Sequence, residues 1–326
     1  MTVELARRII LSSQKFPLFA ARGAYSSVRS DSDAEKADFE YRDYDNFLDN
    51  IPFDFRAFIS GKTVLDYGSG YGGRTVWISE YAEQAIGIEV MHRRVAAGEQ
   101  FARQHDRHNC RFVLGDQQCI DLPDGSVDIV TSFDVIEHVY DPEVTMREIF
   151  RVVKPGGVAV IIFTPYYGAF AHHLNYVTLF PALHWLFSPR TLMSAISQLS
   201  MAELRGMQMP PDVATNATPR LSFNGKRVVL PSLNGVTKRG FLSIVKSTGF
   251  DCNYERSRGI LEKWRVLGGP GAWVNRVLCS MPLFGELFAH NLTVILCKSA
   301  AWNVAKPGHA AGNLENDCRL ENIGRN

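Results

Sequence analysis

The sequence predicts an α/β fold built on a Rossmann-like, doubly wound parallel sheet, and three observations carry that expectation. From residue 61 short apolar runs alternate with longer amphipathic stretches, the first run empties into a glycine turn, and acidic residues recur at the ends of the first three runs. The chain has 326 residues, 46% of them hydrophobic and 21% charged, enough for a core that needs no disulfide or metal staple. Lys and Arg number 35 against 34 Asp and Glu, so the formal charge of +1 supplies no global attraction to nucleic acid, and none is expected as a partner. Six cysteines without a Cys-x-x-Cys pair read as reduced thiols of a cytoplasmic protein. No apolar run reaches the roughly 18 residues a spanning helix takes, and the start lacks a secretory pattern.

Taken in chain order, residues 1–30 carry five basic residues against the single acid Glu4, with apolar residues between them. An amphipathic helix on an anionic membrane surface and a loosely ordered arm both fit that pattern, so peripheral membrane contact stays open. Tyr41, Tyr44 and Phe47 stand at helical spacing and are expected to pack a helix onto the following domain. Strands are expected at Thr63 to Tyr67, Gln84 to Val90, Arg111 to Leu114, Val127 to Ser132 and Gly157 to Phe163, with helices between them long enough for right-handed crossovers. Near the end of the chain a helix from Val236 to Thr248 stops at Gly249 and precedes strands at Phe250 to Ser257 and Leu292 to Lys298. The expected domain runs from 45 to 298, with residues 1–44 as an N-terminal arm, an insertion over about 164–235, and residues 299–326 as a frayed tail.

Right-handed crossovers place the loop after each strand on one edge of the sheet, where ligands bind. On that edge the run Val64-Leu65-Asp66-Tyr67-Gly68-Ser69-Gly70-Tyr71-Gly72-Gly73 turns an apolar strand into a helix through glycines, which let a ligand approach backbone. Gly68, Gly70 and Gly73 satisfy G-x-G-x-x-G, so a dinucleotide with its pyrophosphate on the helix N-terminus is one reading. Asp66 favours the other, since a carboxylate at the strand tip suits a cationic group better than a phosphate. Glu89, ending the second strand, can accept both hydroxyls of a ribose, and Asp116, beside Gln117 after the third, can accept an adenine amino proton. Those groups together fit a cationic, phosphate-free nucleoside.

Residues 61 to about 165 resemble class I S-adenosylmethionine-dependent methyltransferases of the ubiquinone-biosynthesis and small-molecule type. The glycine loop, Glu89, the stretch from Gly115-Asp116 through Leu122-Pro123 to Ser126-Val127-Asp128, then Phe133-Asp134-Val135-Ile136-Glu137-His138-Val139, and finally Val153-Lys154-Pro155-Gly156-Gly157 recur in family order. The resemblance implies a seven-stranded sheet with its last strand antiparallel and S-adenosyl-L-methionine as cofactor. It implies that Asp66, Gly68 and Gly70 line the methionine part, Glu89 the ribose and Asp116 with Gln117 the adenine, with Ser69, Val90 and Phe133 also among the cofactor-binding residues. Tyr67, where the family usually has a smaller aliphatic residue, and the shortened run at Leu122 are departures that remove no cofactor contact.

A sulfonium methyl is already electrophilic, so alignment and exclusion of water are the enzyme's main tasks and no metal is called for. With a hydroxyl acceptor a base within reach would help, and His138, just after the fourth strand, is the expected candidate; a structural role for Glu137 and His138 at the same junction also fits. The segment from Phe163 to Phe187 holds eight aromatic residues and His172, His173 and His184, but no Asp, Glu, Lys or Arg. It is expected to form an aromatic-rich lid over a small-molecule acceptor, with Tyr166, Tyr167, His172 and His173 nearest the chemistry, or to rest on a membrane and admit a lipidic acceptor. Transfer to an oxygen nucleophile is the function expected; a non-catalytic cofactor-binding scaffold and a nicotinamide-dependent oxidoreductase are the alternatives. No feature of the sequence sets an oligomeric state.

Overall fold

The computed structural model describes residues 2–16, 19–20, 32–116, 119–174, 177–200, 203, 222–224, 227–230, 233–259, 268–281 and 284–299. In chain order the elements are α1 Val3–Ser13, α2 Asp33–Leu48, α3 Phe55–Ile59, β1 Thr63–Tyr67, α4 Gly73–Ser79, β2 Gln84–Glu89, α5 His92–Gln104, β3 Cys110–Leu114, β4 Val127–Phe133, α6 Pro142–Val152 and β5 Val153–Phe163. They continue as α7 Leu183–Leu186, α8 Pro189–Ser197, β6 Ser222–Asn224, β7 Arg227–Val229, α9 Lys238–Thr248, β8 Asp251–Gly259, α10 Gly268–Cys279, α11 Gly285–Phe288 and β9 Ala289–Cys297.

Seven strands form one sheet in the order β3-β2-β1-β4-β5-β9-β8. β1 is parallel to β2 on one side and to β4 on the other, so the winding reverses between β1 and β4 and opens a crevice at their carboxyl ends. β9 runs antiparallel to β5, from Val158↔Cys297 to Phe163↔Leu292. β1, β2 and β4 are buried almost throughout, as a sheet covered on both faces demands. Expected and observed strand ends agree to within two residues except at β5, which begins at Val153 rather than Gly157, and β9, which begins at Ala289 rather than Leu292. Val153 pairs with Val127, a register shift follows, and the Lys154 ammonium meets Asp128 at 2.8 Å, so the two glycines sit inside an irregular strand instead of before it. Behind this edge the buried ammonium of Lys298 donates to the carbonyls of Phe150 and Val153, each at 2.7 Å, and takes up acceptors left by the end of α6.

The chain divides into two compact units. A sheet unit comprises Lys36–Phe163, Arg239–Arg256 and Leu292–Asn326; an insertion unit comprises Met1–Glu35, Thr164–Lys238 and Ser257–Asn291. In the sheet unit Tyr44 of α2 is fully buried, 4.5 Å from the Trp77 ring and 5.6 Å from that of Phe133, so the helix-spaced aromatics serve packing. The insertion unit has a core of its own, in which Ala6 and Ile10 of α1 pack with Leu183, Phe187, Leu192 and Ile196.

That core revises the loosely ordered arm. Apolar positions four apart give α1 a buried face, Thr2 caps its start through the Leu5 N–H, and Arg7 pairs with Glu203 at 2.7 Å. The expected arm therefore divides, with residues 1–35 joining the insertion and the rest the sheet unit. The tail beyond residue 299 lies outside the described residues. No helix among the described residues is long and apolar enough to cross a membrane.

Candidate active site

The tips of β1, β2 and β3 are laced together by backbone hydrogen bonds. The N–H groups of Gly68 and Ser69 both donate to the Ile88 carbonyl at 2.9 Å, and the Gly115 N–H donates to the Glu89 carbonyl at 3.0 Å. Asp66, the glycine turn, Glu89 and Asp116 are thereby drawn to one edge. Gly68, Gly70 and Gly72 hold φ of 83°, 58° and 91°, conformations that side chains rarely adopt. A Cβ on Gly73 would lie 1.9 Å from the Ala37 carbonyl oxygen, so α2 packs directly on the start of α4.

Glu40, on α2, is the group that spacing gives no reason to expect here. Its Oε1 accepts from the Tyr71 N–H at 3.0 Å and its Oε2 from the Gly73 N–H at 3.2 Å. Gly72 donates to the Ser69 carbonyl at 3.0 Å, so of the N–H groups from Gly68 to Gly73 all but that of Gly70 already have a protein acceptor. The donors a pyrophosphate would use at this helix start are held by the protein's own carboxylate. Burial raises the Glu40 pKa to about 7, against the opposing pull of Arg74 and the two N–H groups, while the charge of Asp66 raises it further.

Asp66 is buried and clasped by two hydroxyls, Thr75 Oγ1 donating to Oδ2 at 2.7 Å and Thr131 Oγ1 to Oδ1 at 3.3 Å. Its pKa is also raised, chiefly by burial and in part by Glu89. Negative charge thus adds to burial at two of these acids, Asp66 raising Glu40 and Glu89 raising Asp66. Arg74 faces Asp66 and Glu40 while donating to the Phe133 carbonyl at 3.0 Å, its guanidinium 4.4 Å from the Phe47 ring centroid. Ser69 is buried, its hydroxyl without a hydrogen-bond partner among the described residues.

Glu89 accepts the Val90 and Met91 N–H groups on Oε1, at 2.9 and 3.1 Å, and meets Arg94 at 3.3 Å through Oε2. Beside it Val90 (46%), Met91 (48%) and Leu114 (40%) are exposed, an apolar ledge at the tips of β2 and β3 that suits the face of a purine. Asp116, exposed next to that ledge, accepts the Cys119 N–H at 2.6 Å. Gln117 lies outside the described residues.

On the far side of the crevice the Phe133 ring is buried against Tyr44 and Phe47, so the part of this residue that faces the edge is its backbone. Asp134, the next residue, has φ of 57°. His138 is exposed in the turn that follows, its N–H donating to the Val135 carbonyl at 2.8 Å.

The insertion-unit histidines divide by environment. His172 departs from the expected catalytic role. It is fully buried, Nδ1 accepts the Leu174 N–H at 2.9 Å, Nε2 lies 3.1 Å from the Phe180 carbonyl, and burial pushes its pKa down to about 3. Both ring nitrogens are committed to backbone, leaving none for a substrate proton. His184, 2.9 Å from the Tyr166 carbonyl through Nε2, is lowered by burial to about 4. His173 is half-buried with φ of 50°.

The family described as a methyltransferase domain matches residues 65–161, from the last residues of β1 nearly to the end of β5. Over those residues the chain is similar to methyltransferase domains. A Mycobacterium sp. (strain KMS) protein named as an uncharacterized methyltransferase is 36% identical over 113 residues, 35% of this chain and 43% of its own length. A 2-methyl-6-phytyl-1,4-hydroquinone methyltransferase of Synechocystis sp. is 33% identical over 115 residues, 35% of this chain and 33% of its own. The chain thus spans less than half the length of these curated relatives. The solved structure of Bacillus subtilis YcgJ covers 79% of this chain and 98% of its own at 14% identity, with a TM-score of 0.45. The matched residues contain every cofactor-side residue the sequence singles out. Glu40, which lies upstream of the matched residues, has no signal in the glycine motif, because its place over the turn depends on how α2 docks.

Proposed function

We propose that this chain transfers a methyl group from S-adenosyl-L-methionine to a small-molecule acceptor through an oxygen nucleophile. One observation carries the choice of cofactor: the N–H donors of the glycine turn, apart from that of Gly70, are taken by Glu40 and by backbone carbonyls, and the two buried acids beside them, Glu40 and Asp66, both have raised pKa values. A pyrophosphate would have to displace a carboxylate and then sit among others; a cationic amino acid nucleoside relieves the repulsion. The residues fit such a group, with Asp66 and Glu40 toward its cationic end, Glu89 toward the ribose, and Val90, Met91, Leu114 and Asp116 toward the base.

When bound, S-adenosyl-L-methionine supplies a methyl carbon activated by the sulfonium. The chain's own contribution is then alignment. The glycine turn lets the Glu40 carboxylate sit directly on backbone N–H groups, Thr75 and Thr131 fix the Asp66 carboxylate, and Arg74 suits a ligand carboxylate. His138, exposed on the same edge, is the group positioned to receive the proton of an acceptor hydroxyl. The name of the Synechocystis relative supports an aromatic hydroxyl compound as acceptor, and the uncharged, aromatic segment after β5 supports an acceptor without charge.

Equilibrium binding of S-adenosylhomocysteine against NADH tests the cofactor, with tight binding of the first and none of the second expected; the reverse order would return the chain to the oxidoreductases. Incubation with a deuterated methyl donor and a cell extract, read by mass spectrometry, then tests transfer. Confirmed cofactor binding with no labelled product would favour a scaffold.

A further inference from the structure

Among the described residues, α10 and the turn after it present the largest run of exposed apolar side chains in the chain. Trp273 (66%), Val274, Val277, Met281 and Phe284 (53%) are all exposed, whereas Asn275 and Cys279 on the opposite side of the helix are buried. The buried side is tightly seated. A Cβ on Gly259, at the end of β8, would lie 1.8 Å from the Asn275 side chain, and one on Gly285 would lie 2.3 Å from the Cys279 carbonyl oxygen. The orientation of α10 within the insertion unit is therefore fixed by packing, and its outer face is apolar by construction.

Charge identifies what covers it. From Gly268 to Gly285 the only charged residue is Arg276, which is exposed among the apolar side chains and forms no ion pair with a described residue. Glu286, the nearest acid in sequence, is turned inward and accepts the Tyr167 and Lys238 N–H groups, both at 2.9 Å. A second copy seated on this face by two-fold symmetry would set Arg276 against its own counterpart, with no acid among the described residues of 268–285 to pair it. An anionic lipid surface complements it, with tryptophan at headgroup depth, the smaller apolar side chains below it and arginine among the phosphates.

We propose that α10 is an interfacial helix that docks the insertion unit on an anionic bilayer. The docking is independent of methyl transfer, and its test needs no substrate. The full chain is sedimented with vesicles of phosphatidylcholine and with vesicles in which about a third of the lipid is phosphatidylglycerol. Binding to the anionic vesicles is expected to exceed that to neutral ones by about tenfold or more and to weaken with salt. Trp273→Ser and Arg276→Glu, both at exposed positions, should each lower partition by about tenfold while circular dichroism and thermal midpoint stay unchanged. Having two variants keeps the test open if one misfolds. Equal binding to both vesicle types, no binding at all, or partition that both substitutions leave intact would overturn the proposal. So would a dimer in lipid-free solution that Trp273→Ser dissociates, since the face would then belong to a second copy.

Discussion

In the sheet unit the groups held from water beside the crevice are acids, Glu40 and Asp66, and burial raises both pKa values; in the insertion unit they are imidazoles, His172 and His184, and burial lowers both. The physics is one effect with two signs, because desolvation disfavours whichever form is charged. What the difference teaches concerns purpose. The acids line a glycine-floored edge where a cation can relieve them, whereas the imidazoles are tied to backbone carbonyls and N–H groups inside a core, where neutrality is their resting state. The first arrangement is poised for a ligand and the second is architecture.

The largest effect expected from breaking this picture is at Gly73. Alanine there would place a Cβ 1.9 Å from the Ala37 carbonyl oxygen and 2.6 Å from the Tyr41 nitrogen, both backbone atoms that cannot rotate away. α2 must move, taking Glu40 off the turn, and cofactor affinity should fall by about a hundredfold or more by calorimetry, roughly 3 kcal/mol. Gly61→Ala, where an added Cβ meets nothing within 4 Å but φ is 67°, controls for backbone strain alone: it should lose about 1 kcal/mol of stability and bind normally. Normal binding by Gly73→Ala would mean that the seat of α2 on α4 does not shape the site.

Next comes acid. His172 and His184 are held below the usual 6.5, near 3 and 4, so below pH 6.5 the unfolded chain binds protons that the folded unit refuses, and insertion-unit stability falls as the pH drops toward those values. Glu40 has the opposite sign. Its folded pKa of about 7 exceeds the ordinary 4.5, so its contribution to stability rises as the pH falls across that window. Hydrogen exchange at about pH 5 and about pH 7.5, corrected for intrinsic rates, should show protection lost in α7 and α8 before β1 and β2. Simultaneous loss would dissolve the contrast.

Lys298 bears on stability alone. Lys298→Met removes the donor shared by the Phe150 and Val153 carbonyls and should cost about 2 to 3 kcal/mol in denaturant unfolding, with cofactor affinity unchanged. A change in affinity would show that this end of the sheet communicates with the crevice.

The same contrast explains what could be read in the residues alone. β1, β2 and β4 announce themselves as short apolar runs because both sheet faces are covered, and the glycine turn, Asp66, Glu89 and Asp116 fall at successive strand tips as their order along the chain suggests. α10 is not, since its residues start at Gly268-Gly269-Pro270, poor helix formers whose conformation is set by packing against Gly259 and α11. His172 is misread for a related reason. Histidine in an uncharged aromatic segment suggests chemistry, and only the positions of the Leu174 N–H and the Phe180 carbonyl reveal that its nitrogens are spent. Glu40 is invisible because its meaning depends on a docking contact about thirty residues away from the turn.

The smallest expected effect is also the one that probes the electrostatic argument most directly. Glu40→Gln keeps an acceptor for one N–H of the turn and removes only the charge, so the fold should survive. S-adenosyl-L-methionine affinity at about pH 8 should fall by three- to tenfold, roughly 1 kcal/mol, the size of one partly screened charge contact. In the wild type the same loss should appear on acidification, because below about 7 Glu40 takes up a proton and its attraction for a cation vanishes. Affinity is thus expected to decline from about pH 8 to about pH 6 in the wild type and to stay level in Glu40→Gln, with proton release on binding near neutrality in the wild type alone. S-adenosylhomocysteine, which lacks the sulfonium charge, should show a shallower slope than S-adenosyl-L-methionine if Glu40 senses the sulfur end of the ligand. Equal slopes for the two would place the carboxylate by the ammonium instead, and a wild-type profile as flat as the variant's would separate Glu40 from the ligand altogether.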